Sequence, residues 1–190
     1  EDEAARLLAE AVMEGRLNLK SWNEKVNQWV TRVNFAAETF PEHGIARIDE
    51  GGWRMILESL FHGARRYREI KDRDVRPALK SWLPGGMEAW LDRTIPPEIQ
   101  LPVRNRPFRI VYDDARMTGT VAITIQDLYA VDPARLRIGE GRIPLRVEIL
   151  APNRRPVQIT TADQLPAFWE RSYPAIRKEL KGRYPKHEWR

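Results

Sequence analysis

The hydrophobic period of this 190-residue chain changes at Pro96-Pro97, and that change limits what the chain can fold into. Before the two prolines, apolar residues recur every three or four positions, the spacing of one face of a helix. After them, apolar and polar residues alternate, the spacing of a strand with one buried face. A last helical stretch follows. Helices, then a small mostly antiparallel sheet, then a closing C-terminal helix read as α+β.

The helical half divides at its caps and breakers. Ala4, Leu8, Ala11 and Val12 share a face over residues 3–14. Trp22, Val26, Trp29, Val33 and Ala36/Ala37 predict a helix over 19–38, with Asn18 as cap and Pro41 beyond its end. Trp53, Ile56, Leu57, Leu60 and Phe61 predict a third over 52–61, with Gly63 in C-cap position. A fourth starts near Asp74, tolerates Pro77 in its first turn, and carries Leu79, Trp82 and Leu83. Pro84-Gly85-Gly86 ends it, and a short helix with Met87, Trp90 and Leu91 follows. Trp22, Trp29, Trp53, Trp82 and Trp90 all lie on these stripes and are expected in the core, as is Trp169 beside Phe168. Trp189, at the extreme end, lies on no stripe, which leaves both an exposed and a tucked-back position open to it.

In the second half, Phe108, Ile110 and Tyr112 alternate with Arg109 and Val111. Residues 120–125 are a β-branched run, and Ile143, Leu145, Val147 and Ile149 alternate again. With residues 156–160 this makes four or five strands. Turn-rich segments at 104–107, 139–141 and 151–154 join them, and a helical turn is expected at 126–131. Leu165, Phe168, Tyr173, Ile176 and Leu180 mark the closing helix. Asp163 is its expected cap, Gly182 its stop, and Pro174 a split re-capped by Ser172. The expected division is a helical subdomain 1–97 and a sheet-plus-helix subdomain 98–190, together one accessory module.

Composition excludes several classes. There are no cysteines, hence no disulfide scaffold, no Cys-based zinc site and no thiol nucleophile. No apolar run reaches the ~18 residues of a membrane span, and no signal peptide is visible. Hydrophobic residues are 42% and charged residues 31% of the chain, which suits a folded domain. A chain opening Glu1-Asp-Glu without Met reads as a piece of a longer protein.

No GxxxxGK[ST] loop is present, and Gly139-Glu-Gly141 reads as a hairpin turn, so hydrolysis of ATP by this chain alone is not expected. His43, His62 and His187 form no ligand spacing, and His62 reads as a partner for a helix C-terminus. Asp72/Asp74 and Asp113/Asp114 sit at element boundaries, where Asp caps and turns. No GxSxG elbow occurs. The reading has no catalytic residue, no metal and no cofactor site.

Charge is more informative. The net charge is +5 and residues 1–50 carry −4, whereas residues 171–190 alone carry +5. Basic residues there interleave with Tyr184, His187 and Trp189, so charge could hold a phosphate backbone while rings stack on unpaired bases. The candidate nucleic-acid residues are Arg154, Arg155, Arg177, Lys178, Lys181, Arg183, Tyr184, Lys186, His187 and Trp189. The structural alternative is a solvated basic helix whose Tyr184 and Trp189 pin the tail, with the turn at 182–185 packed on the strand at 156–160.

The same region resembles a known family. Arg155-Pro-Val-Gln-Ile-Thr160, Phe168-Trp169, Ser172-Tyr173, Arg177-Lys178-Glu179-Leu180 and Lys181-Gly-Arg-Tyr-Pro-Lys-His187 with Trp189 are similar to the C-terminal domain of HrpB-type ATP-dependent helicases. These are bacterial proteins of the DEAH/RHA group in superfamily 2. Leu91-Asp92, Pro96, Leu101-Pro102, Ile110-Val-Tyr112, Ile125-Gln126-Asp127-Leu128-Tyr129, Gly141-Arg142-Ile-Pro144-Leu145 and Ile149-Leu150-Ala-Pro152 extend the likeness upstream. It is strong from about residue 75 onward and looser before. Residues 161–167 are about two longer than the family's usual link, Pro174 replaces a helix-compatible residue, and the chain stops at Arg190, short of the family's usual Pro-containing end.

The resemblance implies an accessory domain of a cytoplasmic helicase. ATP and Mg²⁺ are then expected only in RecA-like domains N-terminal to this chain. The implied partners are single-stranded RNA or DNA, the helicase core of the same polypeptide, and possible protein partners; no membrane is implied. A protein-docking or structural domain without nucleic-acid binding is the alternative.

Overall fold

A computed structural model describes residues 2–190 in two units, the first running to Arg93 and the second from Thr94 to Arg190. The first unit is built from α1 (Asp2–Met13), α2 (Glu24–Thr39), α3 (Glu50–Leu60), α4 (Arg76–Lys80) and α5 (Met87–Thr94), the last of which straddles the division.

The caps explain where these helices start. The helix expected from residue 19 begins at Glu24, because Asn23 is the cap and its Oδ1 accepts the Val26 N–H at 3.1 Å. Leu19 is buried in the linker before it. Asp49 caps α3 in the same way through Gly52. Gly63 does take a left-handed φ of +80° after α3. His62 is exposed there, with Nδ1 3.6 Å from a carboxylate oxygen of Asp2.

The tryptophans correct the expected core. Trp22, Trp29, Trp53, Trp82 and Trp90 are only half-buried, and the deepest positions go to Phe35, Phe40, Phe61, Leu57 and Ile70. Indole is large and carries a donor that needs a partner, so it bridges core and rim. Trp22 stacks on Trp53 at 4.1 Å, Trp82 donates to the Ala46 carbonyl, and Trp90 packs edge-on against Phe40.

One buried amide ties the α2–α3 loop to the core. Asn34 Nδ2 donates to the Ile48 carbonyl at 3.1 Å, and Asn34 Oδ1 accepts the Ile48 N–H at 2.6 Å. Both residues are buried.

The second unit is built around a sheet with one buried face. Its strands are β1 (Glu98–Ile99), β2 (Phe108–Asp113), β3 (Thr118–Thr124), β4 (Arg137–Ile138), β5 (Ile143–Pro144), β6 (Arg146–Leu150) and β7 (Pro156–Thr161). The five-stranded sheet runs β1-β2-β3-β6-β7, and β4 and β5 form a separate ribbon. Every pair is antiparallel except β3 with β6. A parallel pair needs a long crossover, and residues 125–145 supply it with α6 (Ile125–Leu128) and the β4–β5 ribbon. The Gly139-Glu-Gly141 segment is the loop of that ribbon.

Alternation buries Phe108, Ile110, Tyr112, Val121, Ile123, Val147 and Ile149 on the inner face. The closing segment follows β7 and meets this face there: α7 (Leu165–Ala167), a π-helical segment Phe168–Ser172, and α8 (Tyr173–Arg183). Inner-face Gln158 donates to Ser172 Oγ at 3.3 Å. The expected caps fail here. Asp163 instead pairs with Arg137, and Gly182 lies inside α8. Ser172 precedes α8 but does not cap it with its side chain. Pro174 has no N–H to give, and the bonding widens just before it, with the Tyr173 N–H reaching the Phe168 carbonyl. The chain therefore passes Pro174 in the first turn of α8.

Gly119 shows how tight the inner face is. It sits opposite Tyr112, and a β-carbon there would lie 3.2 Å from both the Tyr112 ring and Leu145. The Tyr112 hydroxyl donates to the Pro96 carbonyl, so the ring cannot swing away freely.

Asn34→Ala strands the buried Ile48 N–H and carbonyl, at about 1–3 kcal/mol for each group. A urea melt followed by Trp fluorescence should show a lower midpoint, and an unchanged midpoint contradicts the role given to this amide. Gly119→Val should cost about 1–3 kcal/mol by overpacking. Thr120→Val, one residue along on the outer face, should stay within about 0.5 kcal/mol. Equal melting temperatures for these two variants would contradict the assignment of faces.

Candidate nucleic-acid interface

Where the inner face of the sheet is apolar, the outer face is polar. Arg109, Val111 and Asp113 project from β2, Thr118, Thr120 and Ala122 from β3, and Arg146 and Glu148 from β6. The register places Val111, Thr120 and Arg146 in one row and Ala122 beside Glu148 in the next. With Arg104, Arg106 and Arg154 from flanking loops, they line an open groove of about 850 Å³. Five arginines face two carboxylates there.

Arg104 is committed to the fold. Its guanidinium lies 3.6 Å from the Phe108 ring centre and donates to the carbonyls of Arg106 and Pro107. Asp113 is committed too, accepting the N–H groups of Ala115 and Arg116. Among the described residues, no ion pair or side-chain hydrogen bond engages the guanidiniums of Arg106, Arg109, Arg146 or Arg154. Arg154 sits in the β6–β7 turn at φ +66°, a left-handed position that Gly or Asn takes at less cost.

The residues predicted from the sequence separate into two places. Arg154 joins the sheet groove. Arg155 is exposed in the same turn but does not line the groove. Lys178, Lys181 and Arg183 are exposed along α8 and Arg177 is half-buried, while Lys186 and His187 are exposed in the tail. Arg183 pairs with Glu179 one turn earlier, at 3.6 Å.

The tail is pinned through its main chain. Trp189 is half-buried and its indole N–H donates to the Tyr184 carbonyl at 2.8 Å, as the pinned-tail alternative has it and not as a free stacking ring. Tyr173 donates to the main-chain oxygen of Arg190 at 2.7 Å and shares a 2.6 Å bond with the Tyr129 hydroxyl. Gln126 donates to the Glu188 carbonyl at 3.3 Å. Burial, and then the bond to Tyr173, push the Tyr129 phenol well above its usual pKa. These tail bonds run to α6 and Tyr173. Tyr184 is half-buried, with its ring edge-on to His187 at 6.0 Å.

Elsewhere the acidic pairs serve the fold. Asp72 holds Lys20 at 2.7 Å and Asp74 holds Arg76, and these bonds keep both carboxyls below their usual range. Among the described residues, no group of three or more His, Asp or Glu is placed to hold a metal ion. None of the described helices is long and apolar enough to cross a membrane.

Sequence reasoning missed Arg104, Arg106, Arg109 and Arg146. The alternation in β2 and β6 already assigns Arg109 and Arg146 to the polar face. Their meeting depends on β3 and β6 being neighbours, which alternation does not reveal.

Comparisons with known proteins agree with this fold. Residues 56–190 match the family model for the C-terminal region of HrpB ATP-dependent helicases. The ATP-dependent RNA helicase HrpB of Escherichia coli K12 is 32% identical over 195 aligned positions, covering 100% of this chain and 23% of that protein. A crystal structure of the E. coli DExH-box NTPase HrpB superposes with a TM-score of 0.78 at 29% identity, over 96% of this chain and 22% of that one. A second, of the E. coli DEAH/RHA helicase HrpB, gives 0.69 over 100% of this chain and 24% of that one. The chain thus spans about a quarter of the length of these relatives. Both the family model and the whole-length relative lead to one conclusion: the chain belongs to the HrpB family of ATP-dependent helicases, as its C-terminal domain.

Proposed function

We propose that this chain is the accessory C-terminal domain of a cytoplasmic bacterial RNA helicase. It supports the helicase core and adds basic contacts to single-stranded nucleic acid. ATP and Mg²⁺ belong to the core of the longer protein. The observation that carries this reading is the exposed row of cations at the end of the chain: Lys178, Lys181 and Arg183 on α8, then Lys186. Only Arg183 among them has an ion-pair partner among the described residues. Such a row neutralises phosphates and releases counterions.

The rings have a different part in this reading. Trp189 holds the tail in place through Tyr184, so the cations are presented on an ordered segment. His187 is the ring left for stacking on a base. A protein-docking role has Leu7 and Met55 in its favour, 52% and 66% exposed on α1 and α3.

Fluorescence anisotropy of a labelled single-stranded RNA, titrated at about 50 and about 200 mM salt, tests the proposal. Affinity should fall by more than about tenfold between the two salts. K181A/R183A/K186A should weaken binding and flatten the log K against log salt slope by about 2. Absence of binding at the lower salt overturns the nucleic-acid role and leaves core support or docking.

A further inference from the structure

We infer that the outer face of the five-stranded sheet is a second nucleic-acid site, a groove that takes the phosphates of a single strand crossing β2, β3 and β6. The inference rests on the reading of this domain as a nucleic-acid contact and adds a surface that α8 does not provide.

Convergence is the first argument. Arg106, Arg109, Arg146 and Arg154 come from the β1–β2 loop, β2, β6 and the β6–β7 turn, and they meet over one groove. Other arginines are engaged by carboxylates of the fold: buried Arg32 on Asp92, exposed Arg76 on Asp74, Arg137 on Asp163. These four guanidiniums have no such task among the described residues. A guanidinium fork matches two phosphate oxygens, so unengaged forks around a groove suit a polyanion.

The floor is the second argument. Val111, Thr120 and Ala122 are small, and Val111 is 50% exposed. A strand of sugars and phosphates can lie close against such a surface. Arg109 and Arg146 stand two strand spacings across the sheet and two residues along it from each other, roughly 12 Å, so they meet separate phosphates of one crossing strand.

The absence of stacking rings decides what is read. The one ring in the lining, Phe108, is buried with Arg104 over it. Bases therefore find no platform, and the groove holds backbone without choosing sequence. An acidic peptide recognised by a sheet pairs along an edge strand. This groove lies on the face, where backbone groups are already paired. Glu148 in the lining and exposed Glu98, opposite Arg109 in the register, oppose an anion, and Glu148 provides a control.

The test uses the 190-residue chain, with a mixed-sequence single-stranded oligonucleotide as RNA and as DNA. R109Q/R146Q should weaken binding roughly tenfold and flatten the salt slope by about 1.4, or about 0.7 for each phosphate no longer neutralised. Glu148→Gln should tighten binding, which a damaged fold would not do. RNA and DNA should respond alike, and the melting temperatures should stay at the parent value. Unchanged affinity and slope in R109Q/R146Q, with binding abolished only in K181A/R183A/K186A, overturns the groove while the nucleic-acid role stands. If the parent chain binds neither oligonucleotide, both fall. Poly-glutamate binding in place of either oligonucleotide, or a duplex competing better than a single strand, also overturns the groove.

Discussion

The second unit has a single apolar layer to bury, and the rest of its design depends on that constraint. Each strand gives every other residue to the inner face, where Ile110, Val121, Val147 and Ile149 are buried. The remaining residues must meet water. The burial that stabilises the sheet therefore also sets the spacing of the arginines outside. Gly119 belongs to the same constraint, since its missing side chain makes room for Tyr112. The parallel β3–β6 pair brings Arg146 to the same face as Arg109 of β2, and the crossover through α6 makes that pair possible.

Much of this is legible in the sequence, and the failures have physical causes. The change of period at Pro96-Pro97 separates helices from strands because periodicity reports which residues face a core. The five half-buried tryptophans escape such a reading because a stripe shows direction and not depth. An indole can lie on the buried side of a helix and still reach solvent, as Trp22 and Trp53 do against each other. Helix ends are misjudged where two residues could cap. Asn23 displaces Asn18 because its side chain reaches Val26, and Asp163 is taken by Arg137.

The candidate site is legible only in part. A run such as Lys181 to Lys186 is contiguous, so composition alone exposes it. The sheet arginines are scattered over residues 104–154, and only strand order gathers them. Trp189 is a related case. Nothing in its sequence context reveals that its indole N–H closes onto Tyr184, because the pinning of the tail depends on Tyr129 and Tyr173 from distant segments.

The chain belongs to the HrpB family of ATP-dependent helicases, and in the function proposed above an accessory surface for a single strand serves the motor of the longer protein. The most direct measurement is a two-dimensional amide NMR titration of the isotope-labelled chain with a single-stranded oligonucleotide. The account predicts shifts clustered on the outer-face positions of β2, β3 and β6 and on the exposed side of α8, with inner-face amides such as Val121 and Val147 little changed. Shifts confined to residues 2–93, or none at all, would contradict it.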